Sequence, residues 1–511
     1  SSLVGSEMCI RDRMRTLLGI DIGTSSIKAM MLDIASGKIY VKKRRYSVSI
    51  PAPNCAEQNP ELWWENLVEI FQEFRSDSRC RKAFESVVGI SFSGQMHGLV
   101  SIDEYGKPVR PAIIWLDQRS VQEVDEILGK LSEEEINTVL GNRICVGFSC
   151  PSLLWIKKNE PENYKKIWKV FQPKDYIRFK MTGEIATEVT DASASGIYDV
   201  KNRRWAKELI RRVGLSGDNF PDCYESGEIA GYVTMKCAEL TGLKEGIPVL
   251  YGCGDQMAQS IGNGVYQEGK LISNIGTGGQ VSAYSNEFVS DRRLRTNTFC
   301  HAVGKGYSVF GATLNSGNSL NWLCNKVLGE ENQFEKYTKM AEEIEAGSEG
   351  VVYLPYLSGE RTPVMDSKAK GVYFGLKLQH DRRHLIRATM EGIIYSLKDC
   401  LLILQELGID SDQVIASGGG ASSELFLQLQ ADIFEKEIKV CNVKEQACLG
   451  ACILAGAGTQ SFTIEDAVEN YVTFDEKIIV PISEHTKIYR KYFEIYHEIY
   501  KNTKQIMEEI K

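Results

Sequence analysis

The apolar positions of this chain fall into short runs that close on glycine and hydroxyl residues, and two of these closures are built alike. Residues 17–22 run into Gly23-Thr24-Ser25-Ser26, and residues 271–275 run into Gly276-Thr277-Gly278-Gly279. A second apolar run follows each turn, over 27–32 and 281–284, so the pattern predicts two β-hairpins. Glycine at a hairpin tip permits φ > 0 and lets backbone N–H groups approach an anion, while Thr and Ser hydroxyls add donors. Two such tips suit the gripping of one polyphosphate.

Beyond the first hairpin the pattern predicts a strand over 38–50, a helix over 60–74 and a buried strand over 86–93 ending in Gly94-Gln95-Met96-His97-Gly98. Another apolar run closes at Trp115, Asp117 and Arg119, before a mostly helical stretch over 121–181 broken at Pro151 and Pro161. The second half opens with an apolar strand over 248–255 and a helix over 256–262. Later come a strand into Gly418-Gly419-Gly420, a helix over 422–434 and a helix of small residues over 445–456. Residues 485–511 predict an amphipathic helix whose Tyr489, Phe493, Tyr496 and Tyr500 form a packing stripe, against the same chain or against a twin in a homodimer. Strands alternating with helices indicate the α/β class, with ligands at strand ends.

A chain of 511 residues exceeds one ordinary core, and two large domains, 14–248 and 249–511, fit the duplicated hairpins. With 43% hydrophobic and 25% charged residues the composition is that of a soluble globular protein, and no apolar run reaches the roughly 18 residues that cross a bilayer. A formal charge of −8, with basic runs only at 42–45 and 201–204, argues against a nucleic-acid partner. The 14 cysteines are scattered and form no C-x-x-C pair, which reads as reduced thiols in a cytoplasmic protein. Residues 1–13 read as a translated sequencing-library adapter ahead of Met14 and are set aside as non-native.

Asp21 sits between Ile20 and Ile22 in an otherwise apolar strand, where an unpaired carboxylate is costly to bury. A metal ion or bound phosphate chemistry offsets that cost. Neither a G-x-x-x-x-G-K-[ST] loop nor a G-x-G-x-x-G opening a helix is present, so P-loop and Rossmann modes of phosphate binding are unsupported.

The ordered set GIDIGTSS, SGQMHG, WLDQR, PKDY, GCGDQ, NIGTGG, LPYLSGERTP, GVYFGL and ASGGGASS resembles the FGGY family of carbohydrate kinases, and within it the members that phosphorylate D-xylulose. The resemblance runs from Met14 to about Gly458. It implies two actin-like ribonuclease-H-fold domains, of the sugar kinase, heat-shock chaperone and actin superfamily, flanking a catalytic cleft. The ketose is then held mainly by the N-terminal domain and ATP mainly by the C-terminal one.

By position, the resemblance makes Asp255 the general base and Asp21 the acid that organises a magnesium ion. It gives the first phosphate turn to Thr24, Ser25 and Ser26, the second to Gly276, Thr277 and Gly278, and the adenosine segment to Gly418, Gly419 and Gly420. Gln95, Met96, His97, Trp115 and Asp117, with Asp255, then line the sugar site. A Met-His pair at 96 and 97 argues against glycerol, because glycerol kinases carry Arg-Glu there. Two departures stand out: Trp115-Leu116-Asp117 replaces the family's Trp-Asn-Asp, removing a polar contact near the sugar, and Thr277-Gly278-Gly279 replaces Thr-Ser-Gly.

The reaction implied is phosphoryl transfer from ATP to the sugar's 5-hydroxyl, in which positioning and charge neutralisation carry most of the work. Alternatives are another sugar of the same family (ribulose, fuculose, gluconate or a polyol) or an actin-like ATP-binding protein without kinase activity. Plainer roles also exist. Asp255 can serve as a helix N-cap, His97 as a hydrogen-bonding residue at a strand end, and Glu360 as an interior ion-pair partner of Arg361 or of a nearby residue.

Overall fold

A computed structural model describes residues 14–329 and 333–510; the leader 1–13 lies outside them. The described chain forms two compact units. The first holds the residues up to Tyr266 with Phe299–Gly306 and Val443–Val472, and the second holds Gln267–Thr298, Tyr307–Asn442 and the residues from Thr473 onward. The chain therefore leaves the first unit after Tyr266 rather than at 248, and it returns twice.

The first unit is built on a seven-stranded sheet, in the order Ile229–Tyr232, Pro248–Leu250, Val87–Gly94, Thr16–Ile22, Ser26–Asp33 and Ile39–Arg45, with Cys253–Gly254 also paired to Val87–Gly94. The predicted hairpin is its centre: Thr16–Ile22 pairs antiparallel with Ser26–Asp33 and parallel with Val87–Gly94. Every residue of Thr16–Ile22 is buried, as befits a central strand covered on both faces. Pro60–Ser76 covers the sheet with Trp63, Trp64, Leu67, Ile70, Phe71 and Phe74. Its start is set by Asn59, whose side chain accepts the N–H of Glu61, and by Pro60 in the first turn.

The expected small-residue helix is Gln446–Gly458, and it belongs to this unit. It has apolar residues on all sides, so it needs cover all round, and small residues let two backbones come close. A Cβ added at Gly19 would stand 2.8 Å from Cys452 Sγ, and one at Gly89 would stand 2.8 Å from Thr459. The strand expected over 248–255 is two pieces, Pro248–Leu250 and Cys253–Gly254. Gly252 breaks it at φ +77°, with no room for a side chain beside the Phe92 backbone.

The helical stretch expected over 121–181 is interrupted by a short strand, Lys169–Phe171, that pairs with Val100–Ile102. Pro151 breaks nothing: it lies in the first turn of Ser149–Asn159, where a missing N–H costs little. Pro161 likewise opens the short helix Pro161–Tyr164.

The second unit repeats the central topology. Its sheet holds, in order, Tyr307–Thr313, Gly279–Ser285, Leu271–Ile275, Gln413–Gly418 and Glu437–Val440. Leu271–Ile275 again pairs antiparallel with its hairpin partner and parallel with the strand on its other side. The long helix Arg382–Glu406 packs beneath this sheet. The terminal helix, Ser483–Glu509, buries Tyr489, Phe493 and Tyr496 in the core of its own unit, with Tyr356 and Tyr496 hydroxyls 2.7 Å apart and Tyr500 donating to Asp366 at 2.7 Å. The aromatic stripe is thus committed to its own chain. Among the described residues all 13 cysteines are free and no helix is long and apolar enough to cross a membrane.

Candidate active site

The register of the first sheet gathers the predicted acids. Asp21 pairs with Ser93 and Ile22 with Gly94, while on the other side of the same strand Cys253 pairs with Ser93 and Gly254 with Gly94. Three parallel strands therefore end at one level. Asp21, the Gln95-Met96-His97 segment and Asp255 all emerge there, in the position where open α/β sheets bind ligands.

Asp21 is buried, and its carboxylate accepts the Ser93 hydroxyl at 2.7 Å on one oxygen while the other lies 3.9 Å from Lys28 Nζ. Burial raises its pKa above the ordinary carboxylate value, with Lys28 and the Ser93 hydrogen bond opposing. Lys28 is shared with Glu445, at 2.5 Å. Asp21 thus has one oxygen with only a distant cation for company.

Asp255 opens the helix Asp255–Gly262, and the N-cap is Gly254 rather than Asp255. Its carboxylate accepts the backbone N–H groups of Gln256 and of Asp255 itself, and it is still pushed up to about 7, by burial first and by the charge of Asp21 second. Two carboxyls that repel at a strand-end site form an arrangement suited to a proton acceptor beside a cation. Met96 leans on the same backbone, since a Cβ on Gly254 would stand 2.6 Å from Met96 Cγ.

The first turn is tied by a ring of amides. Gln58 Nε2 donates to the Thr24 carbonyl at 2.7 Å, Gln95 Nε2 donates to Gln58 Oε1 at 2.9 Å, and the Thr24 hydroxyl lies 3.4 Å from Gln95 Oε1. Trp115 Nε1 donates to Thr24 Oγ1 at 2.8 Å, while Trp115 itself is 41% exposed. Ser25 is exposed at the tip, whereas Ser26 is already buried in the second strand, paired with Arg45. The free tip is therefore Gly23-Thr24-Ser25.

His97 adopts φ +70° and places Nδ1 2.8 Å from the Ala194 carbonyl, its ring stacked on Phe148 with centroids 4.2 Å apart. Asp117 is used differently from expectation. It is 1% exposed, takes the N–H of Ala56 at 2.6 Å and of Arg119 at 2.9 Å, and is gripped by the Arg119 guanidinium, with Nη2 at 2.7 Å. Both its oxygens are occupied by the protein, so it braces the 115–119 turn instead of offering a hydroxyl acceptor to a sugar.

In the second unit, residues 276–278 close the hairpin, and Gly276 N–H donates to the Gly278 carbonyl at 2.9 Å. The turn is seated on the start of Gly317–Trp322: the N–H groups of Gly317 and Asn318 donate to the carbonyls of Gly276 and Thr277 at 2.9 and 3.0 Å. The glycines here answer to space rather than to φ. Among Gly23, Gly276, Gly278, Gly279 and Gly418 to Gly420, only Gly418, at φ +74°, has a left-handed backbone. A Cβ on Gly278 would instead stand 2.6 Å from the Thr313 carbonyl, and one on Gly420 2.8 Å from Ile275.

A cavity of about 350 Å³ joins this turn to the triple glycine, lined by Ile275, Gly276, Thr277, Gly419, Gly420 and Phe334 among others. Phe334 stacks on Phe426 at its wall, with rings 6.3 Å apart. The apolar walls and the bare backbone suit a flat ring with a polar tail. Two hollows of about 620 Å³ lie elsewhere in the two units, one beside Arg203 and Trp205 and one beside Gln428 and Ile479. They are larger but hold none of the strand-end acids or glycine turns.

Glu360 forms no ion pair with Arg361; it accepts the backbone N–H groups of Leu314 and Arg361, each at 2.7 Å, and burial pushes it up to about 8. Glu349, His380 and His384 bring one potential ligand atom each to within 4.8 Å. Yet both rings accept a backbone N–H at Nδ1, from Lys377 and Asp381 respectively, which leaves the proton on Nε2. His384 closes a capping box with Asp381 and stands 3.5 Å from Glu349, so its ring belongs to the start of Arg382–Glu406. Sequence reasoning missed Gln58 and Phe334, and it quoted Pro173-Lys174-Asp175-Tyr176 without a role. A lysine one residue after a proline that opens a helix was the available signal.

The chain matches the models for the N-terminal domain, over residues 16–262, and the C-terminal domain, over residues 271–459, of the FGGY family of carbohydrate kinases. It is 34% identical to the xylulose kinase of Staphylococcus xylosus, covering 95% of this chain and 100% of that one, and 31% identical to the gluconokinase of Bacillus subtilis over 94% of each. A crystal structure of a xylulose kinase from Brucella ovis superposes with a TM-score of 0.90 at 30% identity, covering 96% of this chain and 100% of that chain. With the strand-end acids and glycine turns in the family's order, this chain belongs to the FGGY family of carbohydrate kinases and is a sugar kinase that uses ATP.

Proposed function

We propose that this kinase transfers the γ-phosphoryl group of ATP to D-xylulose, giving D-xylulose 5-phosphate, with Asp255 as general base. The observation that carries the reading is the strand register that brings Asp255 to the same sheet end as Asp21, where burial pushes its pKa up to about 7 and leaves this carboxylate able to take a proton near neutrality. The xylulose kinases similar to this chain support the choice of sugar.

In this reading Met96 and His97, with Gln95 behind them, shape the ketose site, and Trp115 covers it. The acceptor hydroxyl loses its proton to the Asp255 carboxylate as its oxygen attacks phosphorus, and the β–γ bridging bond breaks to release ADP. General-base help of this kind is worth about 10² to 10⁴ in rate. The adenosine belongs in the cavity beside Gly418 to Gly420, and Gly276, Thr277 and Gly278 supply donors for phosphate oxygens; Thr24 and Ser25 offer phosphate donors of the same kind at the first turn. Asp21 fits a magnesium ion, because one oxygen of a buried, raised carboxylate has only Lys28 at 3.9 Å for compensation. Such an ion supplies neutralisation of phosphate charge.

A second reading, gluconate as acceptor, is favoured by the likeness to a gluconokinase over 94% of both chains. A panel of pentuloses, gluconate and polyols with coupled ADP detection separates the two. D-xylulose is expected to give the highest kcat/KM; gluconate ahead of every ketose overturns the assignment. Asp255→Asn is expected to lower kcat by about 10² to 10⁴ while the protein stays folded, and near-normal turnover in that variant removes the base. The scattered cysteines without a C-x-x-C pair and the need for ATP support a cytoplasmic enzyme in this reading.

A further inference from the structure

Behind the acceptor site lies a set of charges that the chemistry above does not use. Lys174, Asp175, Arg178, Glu188 and Asp191 are all fully buried. Lys174 Nζ lies 2.8 Å from Asp175, 3.1 Å from Glu188 and 2.9 Å from Asp191. Arg178 stands 3.6 Å from Asp175 and donates to the Ala186 carbonyl. Taking so many ionisable groups out of water is expensive, and apolar residues of similar volume commonly do as well or better for stability. A cluster of this size therefore invites a role beyond holding the fold.

Its hydrogen bonds lead to the proposed base. Glu188 accepts the Thr190 hydroxyl at 2.7 Å and the Thr190 N–H at 2.8 Å, and its other contacts are the Asp191 N–H at 3.0 Å and the Ser226 hydroxyl at 2.6 Å. The Thr190 hydroxyl, its proton spent on Glu188, accepts the N–H of Gly254 at 2.8 Å. Gly254 is the N-cap of the helix that begins at Asp255, so this bond sets the backbone one residue before the carboxylate. Lys174 holds the neighbouring strand as well: a Cβ on Gly94 would stand 2.9 Å from Lys174 Cβ, and Gly94 pairs with Gly254.

We propose that Lys174 and Thr190 are positioning residues for Asp255: the ammonium anchors Glu188, Glu188 orients the Thr190 hydroxyl, and that hydroxyl fixes the Gly254 N–H from which the Asp255 carboxylate takes its place. The inference rests on the reading of Asp255 as general base. A carboxylate must sit within hydrogen-bond reach of the acceptor proton, and a misplacement of about 1 Å can cost about 10²-fold in rate. The arrangement also accounts for a lysine, rather than an apolar residue, directly after Pro173. A central cation lets three carboxylates be buried together, each on a different segment or turn that the strand ends depend on.

Thr190→Val keeps the shape, removes only the bridging hydroxyl and is milder than any change at Lys174. The experiment compares Thr190→Val, Thr190→Ser and Lys174→Met, each alone and with Thr190→Val also placed in Asp255→Asn, by steady-state kinetics and thermal melting of the full chain. The expected result is a 10- to 100-fold fall in kcat for Thr190→Val, with sugar and ATP KM values changed less than about threefold, and recovery to within about threefold in Thr190→Ser. In the Asp255→Asn background Thr190→Val is expected to cost less than twofold, because the group it positions is already gone. Unchanged kcat in Thr190→Val, no recovery in Thr190→Ser, or an equal loss in the Asp255→Asn background each overturns the inference. Lys174→Met that folds and turns over normally overturns it too; if it does not fold, the Thr190 pair still decides. Full activity in Asp255→Asn alone is a different result and removes the base itself.

Discussion

Trp115 Nε1 donates a hydrogen bond of 2.8 Å to the hydroxyl of Thr24, so the residue expected on the sugar wall is fastened to the residue expected at the first phosphate turn. The contact orients an otherwise half-exposed indole. Trp115→Phe keeps the ring and removes the donor. Loss of one neutral hydrogen bond of about 1 kcal/mol predicts a three- to tenfold fall in sugar kcat/KM with an unchanged melting temperature. Steady-state kinetics at fixed ATP check this, and unchanged kcat/KM would detach Trp115 from the site.

The pH dependence follows from Asp255. With its pKa raised to about 7, the group is protonated in acid and unable to accept a proton, so kcat/KM for the sugar is expected to fall tenfold per pH unit on the acid limb. The midpoint lies at or below about 7, because a cation at Asp21 lowers it. A profile that stays flat down to pH about 5 counts against the base.

The same group carries a stability signature. Its folded pKa lies above that of an unfolded carboxylate, so the folded state binds this proton more tightly and stability falls as pH rises from about 4 through about 7. Asp255→Asn removes that penalty. Its melting temperature is expected to rise relative to the parent above pH 7 and to match it near pH 4, which scanning calorimetry at the two pH values tests.

Asp117 predicts the opposite phenotype. Both oxygens are held by Ala56, by the Arg119 backbone and by the Arg119 guanidinium, and Arg119 is itself buried with Glu57 at 2.7 Å. Asp117→Ala is expected to destabilise by about 3 to 5 kcal/mol, the cost of leaving a buried partner unpaired. The KM of the remaining folded enzyme for the sugar should change little. Chemical denaturation with parallel kinetics separates this from a substrate contact, for which KM would move first.

Gly420 predicts a nucleotide phenotype. A Cβ there would meet the Ile275 side chain at 2.8 Å, at the edge of the 350 Å³ cavity. Gly420→Ala is expected to raise the KM for ATP five- to fiftyfold with sugar KM within twofold, in line with about 1 to 3 kcal/mol for overpacking. Isothermal titration with ADP measures it directly, and an unaltered affinity would place the adenosine elsewhere.

Much of the fold was legible because its signals are local. The hairpins at 16–33 and 271–285 announce themselves by apolar runs around Gly-Thr turns, and the helix at 60–76 by Asn59, Pro60 and a stripe of aromatic residues. The reason given for the turn glycines needed correction. Gly278, Gly279 and Gly420 are required by neighbours that arrive from elsewhere in the chain, Thr313, Leu397 and Ile275, and no local pattern shows such neighbours. The bracing of Asp117 was out of reach for the same reason: an acid two residues from an arginine gives no local sign that the two are paired and that the acid is buried.

What the sequence by itself determined is the kind of elements, the duplicated hairpin, the family and the identity of the acids, because each depends on residues close in the chain or on their order. The tertiary structure alone decided which of those residues share a site. Strand register set Asp21, Ser93 and Cys253 side by side, the return of Gln446–Gly458 to the first sheet brought Glu445 to Lys28, and the fold around Lys174 linked Glu188 and Thr190 to Gly254. Burial then raised the carboxyl of Asp255 to about 7. Desolvation and charge coupling depend on distance in space, and residues 21 and 255 become neighbours only once the sheet has formed.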